Sequence, residues 1–415
     1  MKTTIIGGGI IGLCSAYYLQ KEGHAVTIID RSDITDGCSF GNMGYMSPSH
    51  FVPLASPGII AEGLKHMLSS SSPFYVKPRL NLDLIRWGMK FWKSSNAKTV
   101  AKNAPALNDI LQLSRALIND IRADIGDTFL MEEIGCLMMC KEQKTLEHEF
   151  HLADDAEAFG LKVERLNKEA VQLLEPNVEL NVAGAVLFKD DCHFHPGKMM
   201  IALKNYLQDK GVQFKLDHTV TGFEKQGNNI SGVLTDKGKV DCENLVLAAG
   251  SWLPVLSRMM EVDLLLQAGK GYSYTYPHVE KNIKYPAILV DGRCAITPWG
   301  HQLRIGGTME ISGLNNKVLF NRMKGIYDSA KDFYPGLQIP LPPKDKVWNG
   351  LRPVTPDGLP YIGRPKNLGN VVIAGGHAML GISQGPGTGK LVTELLQRRT
   401  TSIKIDHFRV ERFQK

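Results

Sequence analysis

Lys2-Thr3-Thr4-Ile5-Ile6-Gly7-Gly8-Gly9-Ile10-Ile11-Gly12 decides the fold of this chain. A short apolar strand, 2–6, runs directly into a G-x-G-x-x-G turn. Residues 13–21 continue as a helix, and 25–29 form a second strand ending at Asp30-Arg31. Strand, glycine turn, helix, strand and terminal acid, in that order, predict a dinucleotide-binding βαβ unit. Gly7 permits the tight turn, Gly9 leaves the backbone open to a pyrophosphate, and Gly12 lets the helix pack close to the strand. The N–H groups of Ile10 and Ile11 open the helix, where its positive dipole end faces the phosphates. Asp30, eighteen residues after Gly12, can accept hydrogen bonds from ribose hydroxyls. The alternative is a βαβ unit whose glycine turn binds nothing.

Outward from this unit, composition narrows the choices. The 415 residues are 43% hydrophobic and 22% charged, enough for two domains with substantial cores. A net charge of +6 suits small anions or an acidic membrane surface and is too small and scattered for nucleic-acid binding. Seven cysteines with no C-x-x-C pair argue against a disulfide framework or zinc site and for a reduced, cytoplasmic chain. No run of about twenty apolar residues predicts a spanning helix.

A polar glycine-rich loop follows, Ser39-Phe40-Gly41-Asn42-Met43-Gly44, then Pro48-Ser49-His50. Apolar spacing predicts helices over 58–68, 80–93, 108–125, 154–159 and 167–175. Nucleotide-type pattern returns with a strand at 184–188, a helix at 196–210 and a strand at 212–216. A meander is expected over 220–223, 230–235 and 239–241, then a buried strand at 244–248 leading into Ala249-Gly250-Ser251-Trp252. Strands at 271–276, 287–290, 295–298 and 302–306 predict an antiparallel sheet, followed by a helix at 318–333. A strand at 370–373, a glycine-rich turn at 381–389 and a closing helix at 390–398 end the pattern.

These motifs, in this order, resemble the D-amino acid oxidase and glycine oxidase superfamily of flavoproteins, and within it the bacterial D-amino acid dehydrogenase branch. The resemblance is carried by Gly7 to Gly12, the Ser39 to Gly44 loop, Pro48-Ser49-His50, Ser72-Pro73 with Trp87, and Leu247-Ala248-Ala249-Gly250-Ser251-Trp252. Arg304 to Glu310, Gly350-Leu351-Arg352-Pro353, Thr355 to Pro360, Gly375-Gly376-His377 and Gly381-Ile382-Ser383 complete it. It implies an α/β fold: a discontinuous Rossmann-like FAD-binding domain (1–50, 184–255 and 345–400) with an inserted α+β substrate domain (51–183 and 256–344), and a tail at 401–415. It also implies FAD. Val220 matches the position whose backbone meets adenine; Ser39, Asn42, Met43 and Gly44 would line the flavin; and Gly381, Ile382 and Ser383 would sit at its pyrimidine end. The residue directly before Thr355-Pro356-Asp357 and the segment Gly350 to Pro353 hold no cysteine, so FAD is expected to be non-covalent. Where glycine oxidase relatives carry a carboxylate-binding arginine after a strand-ending proline, Pro298 is followed here by Trp299.

The implied reaction is oxidation of an amine next to a carboxylate, with electrons passed to a respiratory or other non-oxygen acceptor. An oxidase of glycine or sarcosine making hydrogen peroxide, and a non-catalytic flavoprotein subunit, are the alternatives. Arg352 is the first choice for the substrate carboxylate, because a guanidinium offers a planar two-point match. Arg293 and Arg304 are weaker choices, Arg304 being expected to face outward or pair within the sheet. His50 and His377 can accept a proton or bond the substrate. Tyr272 and Tyr274, two apart on one strand, share a face and can close over the substrate or simply pack. His193 and His195, beside Asp190, Asp191 and Cys192, invite a metal reading that a strand-to-helix turn near the flavin edge explains more simply. The basic and aromatic segment 77–102 reads either as a peripheral membrane surface, on the inner face of the cell membrane, or as an ordinary inserted helix with one solvated face.

Overall fold

The computed structural model describes residues 1–58 and 74–414; the helix expected over 58–68 and the Ser72-Pro73 motif fall, apart from Gly58, outside the described residues. Lys2–Ile6 is buried beyond its first residue and sits near the centre of a six-stranded sheet. The spatial order is Tyr361–Gly363, Val371–Gly375, Asn244–Leu247, Lys2–Ile6, Ala25–Ile29 and Gln213–Lys215. All neighbours are parallel except the edge hairpin of Tyr361–Gly363 with Val371–Gly375. The chain leaves Lys2–Ile6 toward one side and returns on the other with Asn244–Leu247. That order reversal opens a crevice at the carboxyl end of the first strand. The Ile10–Lys21 helix is buried from Ile10 to Leu19 because sheet and neighbouring helices cover it on all sides.

The glycine-rich stretch 381–389 is not a turn. It forms the first half of one helix, Gly381–Leu396, running straight through Pro386. Its glycines serve packing. A Cβ on Gly389 would lie 2.5 Å from the Cys14 carbonyl, and one on Gly387 would lie 2.7 Å from Ser114 Oγ. The helix therefore nests against Ile10–Lys21 and the long Ala97–Ile125 helix at backbone distance.

A nine-stranded, mostly antiparallel sheet forms the second layer, in the order Trp348–Val354, Gln267–Tyr276, Gln302–Ile311, Cys294–Trp299, Ala287–Leu289, Cys136–Cys140, Gly184–Phe188 and Val163–Asn167, with Phe74–Val76 beside Gln302–Ile311. Two segments expected in the nucleotide domain belong here instead. Gly184–Phe188 pairs with Cys136–Cys140 and Val163–Asn167, and Trp348–Val354 pairs with Gln267–Tyr276. A five-residue apolar run declares a buried strand and carries no mark of its sheet. Cys136–Cys140 and Val163–Asn167 were not anticipated as strands. The Phe320–Phe333 helix lays Met323, Ile326, Ala330 and Phe333 on this sheet against Tyr272, Ile296, Leu303 and Ile305. The meander is present as Val220–Gln226, Asn229–Thr235 and Gly238–Asp241. The helix expected over 108–125 begins earlier, at Ala97, where Asn96 caps Thr99 N at 3.0 Å, and passes through Pro105.

Candidate active site

Two cavities, of about 360 and 370 Å³, join where both are lined by Cys38, Ser39, Ala378 and Gly381. The first lies at the crevice of the parallel sheet. Gly7 has φ +106°, and a Cβ there would lie 2.4 Å from Ala248 O; one on Gly12 would lie 1.8 Å from Gly7 O. These two glycines are demanded by the protein itself. Gly9 is different: its nearest obstacle is Ser39 Oγ at 3.3 Å, and it borders the cavity. Its missing side chain keeps open a cradle that a ligand can fill. Ile10 and Ile11 line the cavity at the helix N-terminus, with Ile10 N donating to Ser39 Oγ at 3.2 Å. Asp30 accepts from Gly8 N at 2.6 Å and from Ser32 N and Oγ at 3.0 and 3.1 Å. It braces the glycine turn and still borders the cavity. Arg31 lies 3.7 Å over the Trp252 ring, and both line this cavity together with Val220, Ala249 and Gly250.

The second cavity lies between the N-terminus of the Gly381–Leu396 helix and the antiparallel sheet. Ser39, Asn42 and Met43 form one side, and Gly381, Ile382 and Ser383 another. Asn42 holds its own loop by accepting from Gly44 N at 2.9 Å and donating to Met379 O at 3.2 Å. Gly44 does not line the cavity. Its φ is +83°, and a Cβ would lie 2.0 Å from Phe194 O, so it shapes the loop from behind. Arg304 does not face outward. It is buried, donates to Thr275 Oγ1 at 2.8 Å and to the Asn42 carbonyl, and lies 4.9 Å over Trp299. It ties the flanking strand and the 40–42 loop together, and burial pulls its pKa down to about 10.

Arg352 and His50 are brought into this one cavity. Arg352 donates to the Thr308 carbonyl and has no carboxylate ion-pair partner among the described residues. Burial lowers its pKa. Gly271 makes room for it, since a Cβ there would lie 2.2 Å from Arg352 Nη2. Thr308 has φ +59°, a left-handed conformation that turns its carbonyl to the guanidinium. His50 is held neutral: burial lowers its pKa to about 4, and its Nδ1 lies 3.0 Å from Ser49 Oγ.

His377, Tyr272 and Tyr274 are placed differently. His377 lines only the first cavity, its Nε2 is 2.9 Å from Thr388 Oγ1, and burial lowers its pKa to about 3. Tyr272 borders the second cavity, but its hydroxyl donates to Glu310 at 2.6 Å. Tyr274 lines neither cavity and packs edge-on against Tyr276 at 4.8 Å. The two tyrosines do share one face, and that face belongs to the sheet core. Trp348 also lines the cavity, and sequence reasoning passed over it. Its signal was the pair Gly41 and Gly350, where a Cβ would lie 2.2 and 2.1 Å from the indole. His195 caps a helix by accepting from Lys198 N at 3.2 Å, while His193 is buried on a separate two-residue strand. Among the described residues no group of three or more His, Cys, Asp and Glu side chains could hold a metal.

The site fits FAD. Two helix N-termini, at Ile10 and Gly381, open on one elongated space, and the Gly9 cradle suits a pyrophosphate between them. Residues 2–395 match the family model described as FAD dependent oxidoreductase. The chain belongs to this FAD-dependent oxidoreductase family. As an oxidoreductase of that family, its cofactor is FAD. It is 35% identical over 398 residues to a D-amino acid dehydrogenase of Helicobacter pylori, with 95% of each chain covered. It is 31% identical to a D-amino acid dehydrogenase of Bradyrhizobium diazoefficiens, over 100% of this chain and 99% of the other. In fold, the oxidoreductase is similar to the crystal structure of glycine oxidase from Geobacillus kaustophilus, with TM-score 0.78, 21% identity, and 99% and 98% of the chains covered. It is also similar to L-proline dehydrogenase from P. horikoshii, with TM-score 0.75, 19% identity, and 100% and 97% covered. Among the described residues no helix is long and apolar enough to cross a membrane.

Proposed function

We propose that this oxidoreductase deaminates D-amino acids, or oxidises cyclic imino acids, and delivers the electrons to an acceptor other than oxygen. The observation that carries the reading is Arg352, a half-buried cation facing a cavity that also holds the neutral His50. A substrate carboxylate on the guanidinium has a two-point match that fixes the orientation of Cα. His50 then accepts a proton from the substrate ammonium, and the amine becomes able to donate electrons to Cα. FAD held between Ser39, Asn42 and Met43 and the helix start at Gly381 would supply the acceptor for the Cα hydrogen and its electron pair. The imino acid leaves and hydrolyses in water. The dehydrogenase names of the full-length relatives support both the substrate class and a non-oxygen acceptor.

FAD is held without a covalent bond in this reading. Gly350 to Pro353 has no cysteine, and Cys38, which borders both cavities, has its pKa pushed up to about 11 by burial. The acceptor side points to a peripheral membrane contact. On the Leu82–Ser94 helix, Trp87 and Phe91 pack inward, yet Leu82, Ile85, Met89 and Trp92 stand exposed at 78, 48, 55 and 65%. They lie three or four residues apart on one face, with Lys90 and Lys93 beside them, the arrangement of an interfacial helix.

The test is anaerobic bleaching of the yellow flavin by D- and L-amino acids and cyclic imino acids. Bleaching by D-amino or imino acids, with fast turnover on an artificial acceptor and little peroxide in air, is expected. No bleaching by any of them overturns the reading. Peroxide formation at the full turnover rate overturns the dehydrogenase part.

A further inference from the structure

His50 does not stand alone. Ser49 Oγ lies 3.0 Å from its Nδ1 and 2.6 Å from Asp191 Oδ2, and Ser49 N donates to Asp191 Oδ1 at 3.1 Å. Asp191 is 1% exposed and lies outside the cavity lining. The 47–50 turn is closed by His50 N donating to Ser47 O at 3.2 Å, and the Ser49 bonds to Asp191 anchor it from behind, with the Ser49 hydroxyl reaching on to the ring of His50. We propose that Ser49 and Asp191 are a positioning pair that fixes His50 as the Nδ1–H tautomer, so that Nε2 is the proton acceptor facing the substrate amine.

The argument is a count of protons. A serine hydroxyl has one hydrogen, and an ionised carboxylate has none. The short contact to Asp191 uses the Ser49 hydrogen. The contact to His50 must then be a ring N–H donating to Ser49 Oγ. In a neutral imidazole the other nitrogen carries the lone pair. Nε2 has no partner among the described residues, and His50 borders the cavity that holds Arg352. When Nε2 takes the proton, one N–H bond of the ammonium breaks and one Nε2–H bond forms. The resulting imidazolium faces an oxygen polarised by Asp191, while Arg352 is matched by the substrate carboxylate. No electrons move in this step.

Protonating Asp191 would reverse both hydrogen bonds. The carboxyl then donates to Ser49, Ser49 donates to Nδ1, and the ring proton sits on Nε2. The groups facing Asp191 are Asp190, Cys136, Cys192 and Ser47; Arg352 and Arg293 share the cavity with His50. Burial raises the Asp191 pKa to about 7, so the tautomer is set above neutrality.

This inference rests on the amine-oxidation reading for its purpose and not for its test. The histidine rings of the holoenzyme are labelled with ¹⁵N, and the His50 signal is identified by its loss in His50→Gln. At pH 8.5 the wild type is expected to show Nδ1–H. Asp191→Asn, whose amide donates to Ser49 Oγ, is expected to show Nε2–H with the flavin spectrum retained. Should that variant lose FAD, Ser49→Ala is read in its place and is expected to give a mixture of both tautomers. Nε2–H in the wild type, or one unchanged tautomer in wild type and variants, overturns the proposal. A parallel stopped-flow measurement with D-alanine should find flavin reduction slowed roughly a hundredfold in Asp191→Asn, with the concentration dependence little changed. Full-rate reduction in that variant also overturns it. If D-alanine and the other D-amino and cyclic imino acids leave the wild-type flavin oxidised, the functional reading fails while the ring signals still decide the pair.

Discussion

Arg352 is held at its Thr308 contact by a backbone carbonyl rather than by a carboxylate, which leaves its charge for a ligand. Replacing it by alanine removes charge-assisted hydrogen bonds on the order of 2 kcal/mol, a roughly thirtyfold rise in KM. FAD content should be unchanged, and Arg352→Lys should recover only part of the loss because an ammonium cannot reproduce the planar match. Unchanged KM in both variants would remove Arg352 from the carboxylate role. Far from the site, Glu175 is fully buried and accepts from Lys284 N at 2.7 Å and Tyr285 N at 2.5 Å. Burial outweighs those bonds and raises its pKa from 4.5 to about 7. A raised acid stabilises the fold below its unfolded pKa and loses that contribution as pH rises through about 7. Urea unfolding should therefore show the wild type losing on the order of 3 kcal/mol between pH 5 and 8 at this group, a loss absent in Glu175→Gln. Residue types were readable where chemistry restricts the choice: a guanidinium in Gly350-Leu351-Arg352-Pro353 suits an acid. Orientation was not. Period two placed Tyr272 and Tyr274 together, but only the neighbouring strands decide that their shared face is core. Likewise the expectation that Arg304 faces outward or pairs within the sheet is met in its second half, through Thr275, while its hold on the 40–42 loop carbonyls depends on a segment far away in the chain.

The Gly381–Leu396 helix shows why glycine is hard to read from sequence. Glycine in a turn and glycine at a helix contact look alike in one dimension. The first answers to φ and the second to a neighbour hundreds of residues away. Gly389→Ala places its methyl 2.5 Å from the Cys14 backbone, which cannot yield as a side chain can. A loss of about 1–3 kcal/mol is expected, seen as a lower melting temperature. FAD retention should fall too, because both helix N-termini at the cavity shift with the contact. Full retention and an unchanged melting temperature would contradict the packing role. The opening βαβ unit, by contrast, was legible in full, since turn, helix start and strand are consecutive in the chain. On the Leu82–Ser94 helix, the basic and aromatic composition was visible beforehand, while the division into a buried Trp87 and Phe91 face and an exposed Leu82, Ile85, Met89 and Trp92 face is not. Met89→Ser with Trp92→Ser should reduce sedimentation with anionic lipid vesicles several-fold and leave flavin reduction in solution intact. Equal sedimentation would leave the helix an ordinary surface element.

The two sheets meet around two adjoining cavities lined by segments from the first ten residues to the 381–383 turn of helix, so FAD held there would touch both halves. A ligand gripping both halves couples their unfolding. At a free FAD concentration about a hundred times its Kd, the gain is roughly 2.7 kcal/mol. The loaded protein should melt in one transition at a higher temperature than the stripped protein, and two separate transitions in the loaded form would show that the halves are not coupled. The central position of Lys2–Ile6 also bears on folding. Lys2–Ile6 has one neighbour close in sequence, Ala25–Ile29, and the other at Asn244–Leu247, and Val371–Gly375 docks beyond that. Parallel pairing over such separations closes long loops and is slow. The apolar strand therefore stays half-paired until Asn244–Leu247 reaches it, and the flavin cradle closes only when the Gly381–Leu396 helix docks. Cofactor loading then belongs to the late stages of folding, and the interval before it is when this chain is most exposed to aggregation.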